Sequence, residues 1–170
     1  MTKLVALLGN PGAQYNNTRH NAGFMFADSL ALSGTWQTKF NGKYFKDGDT
    51  VYLKPETFMN ESGNSVQKAA SFFQVESRNI LVVHDDIEQE FGKVKLQRGG
   101  GMAGHNGLRS IKQHLSTDDF CRLRIGVGRP QHGDVATFVL GKFSELESKI
   151  LEDTFAQAKT LLTQWIEEQK

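Results

Sequence analysis

Five histidines and nineteen acidic side chains are the raw material for chemistry in this chain, and their spacing sorts them. His20, His84, His105, His114 and His132 include no His-Glu-x-x-His pair, and the single cysteine, Cys121, cannot build a thiolate cluster, so a metal is not expected. There is no Gly-x-Ser-x-Gly elbow, and Cys121 falls inside an alternating strand pattern, which leaves no activated protein nucleophile. What remains is attack by water with help from a general base. His20 follows an apolar run that stops at Gly9-Asn10-Pro11-Gly12, and Asp85 ends a second run, Ile80-Leu81-Val82-Val83. If both runs are strands of an open α/β sheet, their carboxyl ends bring imidazole and carboxylate together. The carboxylate then accepts one ring N–H and stabilises the imidazolium that forms. Asn10, Asn21, Asn60 and Asn106 stand at strand or loop ends. Each is a turn former there, and beside a histidine base each is also a donor for an oxyanion or a substrate carbonyl.

The elements that must position these residues are legible as hydrophobic periods. Leu4 to Leu8 reads as a buried strand, and Phe24, Ala27 and Ala31 with Met25 and Leu32 give a helix over 21–32 that Gly34 ends. Residues 36–54, with Asp47-Gly48-Asp49 between apolar stretches, read as two strands joined by a tight turn and closed by Pro55. Val66, Ala69, Ala70 and Phe73 mark a second helix, beginning between Glu61 and Asn64. Lys93 to Leu96 alternates as a strand, Leu108, Ile111 and Leu115 place a helix over 104–115, and Phe120 to Val127 alternates again, with Phe120, Arg122 and Arg124 on one side. Leu146, Ile150, Phe155, Leu161, Leu162 and Trp165 define a long last helix. Strands interleaved with helices predict an α/β fold: a single domain over 1–170 with a central mixed β-sheet flanked by helices on both sides.

Composition narrows the function classes. The net charge of +1 averages a gradient, because residues 93–129 hold eight basic and two acidic side chains while the segments on either side are net negative. A local patch of this kind attracts a polyanion within about 10 Å. Gly99-x-Gly101-x-x-Gly104 sits where a dinucleotide fingerprint would, yet the acidic residue such a site needs after the next strand is missing, and His105-Asn106 replaces the Lys-Ser or Lys-Thr of a phosphate loop. A glycine loop approaching a ligand backbone is the better reading, and no cofactor is expected. The apolar run at the N-terminus is too short for a signal peptide or a membrane span, so a cytoplasmic protein is expected.

Several longer motifs then occur in order: Gly9-Asn10-Pro11-Gly12, Tyr15-x-x-Thr18-Arg19-His20-Asn21-Ala22-Gly23, Thr57-Phe58-Met59-Asn60-x-Ser62-Gly63, His84-Asp85-Asp86, Gly104-His105-Asn106-Gly107-Leu108-Arg109-Ser110 and Arg122-Leu123-Arg124-Ile125-Gly126-Val127-Gly128. Together they resemble the bacterial peptidyl-tRNA hydrolases from residue 3 to about residue 143. The resemblance implies a monomeric, metal-free esterase that frees peptides from the terminal ribose of transfer RNA after premature release from the ribosome. By position, His20 matches the general base, Asp85 its carboxylate partner, and Asn10 the amide that distinguishes N-blocked peptides; these are the expected catalytic residues. Tyr15, Phe58, Met59, Asn60 and Asn106 match substrate contacts, with His105 beside them. The expected partner is the acceptor stem and 3′ end of peptidyl-tRNA, with Arg124 in a clamp on the 5′ phosphate, together with Lys95. Where many relatives have a further lysine this chain has Gln97, and Arg98 is its candidate replacement.

Two readings from other classes compete with hydrolysis. A noncatalytic RNA-binding module explains the basic segment but leaves His20 and Asp85 idle, and a nucleotide-cofactor enzyme explains only the glycine loop.

Overall fold

The computed structural model describes residues 1–168. The apolar run at the N-terminus forms β1 (Lys3–Leu7), and every residue of it is buried, as a strand covered on both faces requires. Seven strands form one sheet in the order β2-β3-β4-β1-β5-β7-β6. The inner four, β4 (Thr50–Pro55), β1, β5 (Ile80–Asp86) and β7 (Cys121–Gly126), run parallel. Antiparallel strands close both edges: β3 (Gly42–Asp47) and β2 (Gln37–Lys39) on one side, β6 (Val94–Arg98) on the other.

Side-chain alternation along β1 splits the core in two. Val5 and Leu7 pack with Phe26 of α1 (Ala22–Ser29) and with Phe155 and Trp165 of α5 (Glu145–Glu168). Leu4, Ala6 and Leu8 pack on the opposite face with Val66 and Ala69 of α2 (Ser62–Phe73) and with Leu108 and Ile111 of α3 (Asn106–Leu115). The predicted mixed sheet with helices on both faces is therefore the observed architecture, a single α/β domain. Among the described residues no helix is long and apolar enough to cross a membrane.

Three local differences have physical causes. The predicted pair of strands over 36–54 is three strands, because Phe40 and Asn41 both take left-handed backbone (φ 61° and 54°) and turn the chain between β2 and β3. Phenylalanine is a poor turn former by propensity; here its ring is held by Tyr44, Phe72 and Phe73. The helix expected from residue 104 starts at Asn106, because the His105 ring caps it. A short helix, α4 (Val135–Val139), was not legible from periodicity, since five residues span little more than one turn; its Asp134 cap accepts from the Thr137 amide at 2.7 Å.

The site depends on how closely α1 approaches the strand ends. A Cβ at Gly23 would lie 2.5 Å from the Leu8 carbonyl oxygen and 2.8 Å from that of Val83, so only glycine allows the first turn of α1 to rest on β1 and β5. Gly23→Ala should destabilise the fold by about 1–3 kcal/mol, the usual cost of overpacking. A urea denaturation midpoint equal to wild type would mean that this approach has slack.

Candidate active site

Strand β5 delivers Asp85 at its carboxyl end, and a single helical turn, Arg19–Asn21, holds His20 between β1 and α1. His105 arrives from a third direction, at the start of α3. His20 Nδ1 lies 3.0 and 2.9 Å from the two Asp85 oxygens, and His105 Nε2 lies 2.9 Å from Oδ1. Asp85 is only 2% exposed, so these two imidazoles stand in for the water it has lost. Burial pushes its pKa up, but the charges and hydrogen bonds of His20 and His105 outweigh that and hold the carboxyl well below the usual carboxylate range. For His20 the order is similar: burial lowers the pKa, the facing Asp85 charge and hydrogen bond raise it, and the net shift is upward.

Both tautomers follow from the partners. An ionised Asp85 only accepts, so His20 carries its proton on Nδ1, and its Nε2, with no hydrogen bond among the described residues, serves the cleft that His20 lines. The Nδ1 atom of His105 accepts from the amides of Gly107 (3.1 Å) and Leu108 (3.3 Å), which places its proton on Nε2, toward Asp85. The ligand atoms of His20, Asp85 and His105 lie within 4.8 Å of one another, a spacing a metal could bridge. The two backbone donors argue against it, because they leave His105 Nε2 protonated and without a lone pair to offer. The geometry fits a shared carboxylate with one imidazole free to take a proton. His84, next along the strand, is committed differently: its Nδ1 donates to the Asp85 carbonyl at 2.7 Å and its ring packs on His105, while burial first and the His105 charge second push its pKa down to about 4.

Asn10 is held on every side but one. Its amide donates to Asn21 Oδ1 (2.8 Å), its carbonyl accepts from Asn21 Nδ2 (3.0 Å), and its Oδ1 accepts from the Met59 amide (2.7 Å). Among the described residues its Nδ2 has no hydrogen-bond partner. Asn21, read from the sequence as one more donor amide, is used up in fixing Asn10. Met59 is buried and packs near Gly107, which ties the Asn60 turn to the start of α3, and Asn60 itself is exposed. Tyr15 and the exposed Phe58 meet edge to face with ring centres 6.3 Å apart.

The cleft measures about 640 Å³ and runs from His20, Asp85, His105 and Asn106 to Gln97 and Arg124. Arg124 Nε donates to Asp86 Oδ2 at 2.5 Å and Nη1 to Gln97 Oε1 at 2.7 Å. Lys95 is exposed and lies opposite Arg124 in the β6–β7 register. Arg98 is not brought to this group: by alternation it shares the face of Leu96, away from Lys95 and Gln97, and it pairs with Asp119 at 2.9 Å. The residues that sequence reasoning missed are Asp86, which holds Arg124, and Gln97, which orients it. The period-two pattern of β6 already placed Gln97 with Lys95, and that was the available signal.

A family model described as peptidyl-tRNA hydrolase matches residues 4–170. The chain is 46% identical over 173 residues to the peptidyl-tRNA hydrolase of Citrifermentans bemidjiense, covering 98% of this chain and 92% of that one. It is 50% identical over 152 residues to that of Geotalea uraniireducens, covering 85% and 80%. Among solved structures, the peptidyl-tRNA hydrolase of Acinetobacter baumannii superposes with a TM-score of 0.84 at 36% identity, covering 98% of this chain and 91% of that chain.

The electrostatics of the pair are testable without any substrate. His20 should titrate above the ordinary imidazole value of 6.5, and Asp85→Asn should bring it below, since burial then acts unopposed. Histidine ring NMR across pH 4–9, a range set by roughly two to three units either side of 6.5, reads both; a His20 midpoint that ignores the Asp85 charge would break the electrostatic account.

Proposed function

The chain belongs to the peptidyl-tRNA hydrolase family, and from that premise we propose that His20 is its general base, with Asp85 as the partner that orients and charges it. The protein hydrolyses the ester between a peptide and the 3′-terminal ribose of transfer RNA, in peptidyl-tRNA released prematurely from ribosomes, and so recycles the transfer RNA. Water in the cleft gives a proton to His20 Nε2 as it attacks the ester carbonyl. The imidazolium is stabilised through Nδ1–H by Asp85, and it returns the proton to the departing ribose oxygen. An ester has a good enough leaving group for this without a covalent intermediate, and a peptide amide does not, so the released peptide survives.

The observation that carries this reading is the arrangement around Asp85, which leaves His20 Nε2 as the free base at the cleft. Asn10 Nδ2, free while the rest of that residue is tied down, suits a peptide carbonyl, and Asn60 and Asn106 are the further positioning amides. Tyr15 and exposed Phe58 form an apolar seat for the peptide, and buried Met59, whose amide donates to Asn10 Oδ1, links that seat to Asn10. The basic end of the cleft suits the 3′ end and acceptor stem. There Arg124, whose Nη2 has no partner among the described residues, and exposed Lys95 contact phosphate, while Arg98 adds its charge from the other face. Phosphate contacts carry little sequence information, which an enzyme for every transfer RNA needs. We place the enzyme in the cytoplasm, as a monomer, where its substrate arises.

The deciding experiment is hydrolysis of N-blocked aminoacyl-tRNA by wild type and His20→Ala. The variant should be slower by about 10² or more while folded, and near-wild-type turnover would remove His20 from the mechanism. A wild-type protein that binds the RNA without cleaving it would favour the binding-module reading. Arg124→Ala should weaken binding and flatten the dependence of log K on log salt by about 1; an unchanged slope would place no phosphate on Arg124.

A further inference from the structure

The glycine loop between β6 and α3 has no role in the scheme above, yet its backbone is held in an unusual way. Gly99, Gly100, Ala103 and Gly104 all take left-handed φ (63°, 107°, 50° and 74°). Three successive carbonyls of this loop accept hydrogen bonds from side chains of the strands beneath. Gly99 O accepts from Gln97 Nε2 at 3.2 Å, Gly100 O from Arg122 Nη2 at 2.8 Å, and Gly101 O from Arg122 Nη1 at 2.5 Å. Arg122 is 2% exposed and has no carboxylate partner among the described residues; its guanidinium lies over the Phe120 ring, 4.8 Å from the centroid. A buried cation whose charge is met by two loop carbonyls fixes that loop, because releasing either carbonyl leaves the charge unsolvated. The planar fork reaches two acceptors at once, which an ammonium does not do at fixed geometry. The next peptide units lead directly to the site: the His105 amide donates to the Met102 carbonyl at 2.9 Å, and the His105 ring donates to Asp85.

We infer that Arg122 is a positioning residue for the reaction, a guanidinium fork that holds the glycine loop by two carbonyls and thereby sets where His105 meets Asp85. This rests on the base reading of His20 and Asp85 given above. It also accounts for Gly100, whose φ of 107° turns its carbonyl toward Arg122 with backbone that residues bearing a Cβ resist, and where a Cβ would strike the Gln97 amide. His105 shares the Asp85 charge with His20. If the loop drifts and His105 withdraws, His20 faces the undivided carboxylate, holds its proton more tightly, and becomes a free base only at higher pH. The groups around this relay are Asp85 facing His20, His105 on Asp85, His84 packed on His105, and beyond them Asp86 paired with Arg124.

The test uses the full chain with Arg122→Met, which keeps length and loses the donors, with Arg122→Lys, and with Gly100→Ala, which leaves the arginine in place. The Met variant should show kcat/KM lower by about tenfold at neutral pH, the scale of a lost hydrogen bond to a charged group. Its acid limb should move to higher pH, and amide exchange over 99–105 should be faster. Arg122→Lys should fall between Met and wild type in all three readouts, and Gly100→Ala should shift the limb in the same direction. A folded Met variant with the wild-type acid limb and wild-type exchange overturns the inference. Should Met not fold, a folded Lys or Gly100→Ala variant with an unshifted limb overturns it equally. Activity retained in His20→Ala would sink the base reading alone, and the tether would still be decided by the exchange of residues 99–105.

Discussion

A carboxylate withdrawn from water must be met by donors, and Asp85 is met by two imidazoles from separate stretches of chain. That requirement organises the site. It fixes the tautomer of His20, because an ionised acid facing Nδ1 leaves the lone pair on Nε2. It also brings the start of α3 into the centre, because the Gly107 and Leu108 amides hold the proton of His105 on the side of Asp85. The first amides of α3, which have no acceptor within the helix, thus act on the carboxylate through one ring, in the sense expected of a helix N-terminus near a negative charge. Removing any one member would leave a buried polar group exposed to apolar surroundings, which is costlier than losing the contact itself.

The parallel order of the central strands makes this convergence possible. Neighbouring β1 and β5 run the same way, so the turns that follow them emerge at one edge, and His20 and Asp85 meet although 65 positions separate them in sequence. Close approach at Gly23, and at Gly107 against the Met59 sulfur, lets helices press onto that edge without side chains in between. Asn10 and Asn21 exchange hydrogen bonds across the first turn, so the segment that carries His20 is braced independently of the histidine.

The cleft face of β7 solves a second problem, that of keeping cations ready for an anionic substrate inside a folded wall. Arg124 is paired with Asp86 and steadied by neutral Gln97, where a lysine would repel it; Arg122, one pleat away on the same face, spends its donors on loop carbonyls instead. Two like charges on one strand face are thus satisfied by different acceptors, and both side chains line the cleft.

Period and spacing pointed to most of the elements and to the mixed sheet, and made a meeting of His20 with Asp85 the expectation, because buried parallel strands read as continuous apolar runs and their carboxyl ends converge by topology. The order of the motifs identified the family. What the sequence left unresolved depends on contacts between distant residues. That His105 is a second donor to Asp85, that Asn21 is consumed in bracing Asn10, and that Arg98 faces away to Asp119 are matters of direction, and direction is set by how strands register and helices cap. The extra turn at Phe40 and the short α4 escaped for the same reason: ring packing overrode propensity in one, and a single turn carries too few residues to show a period in the other. Local pattern encodes which face is buried, but a hydrogen bond across 65 or 20 residues exists only once the chain has closed on itself.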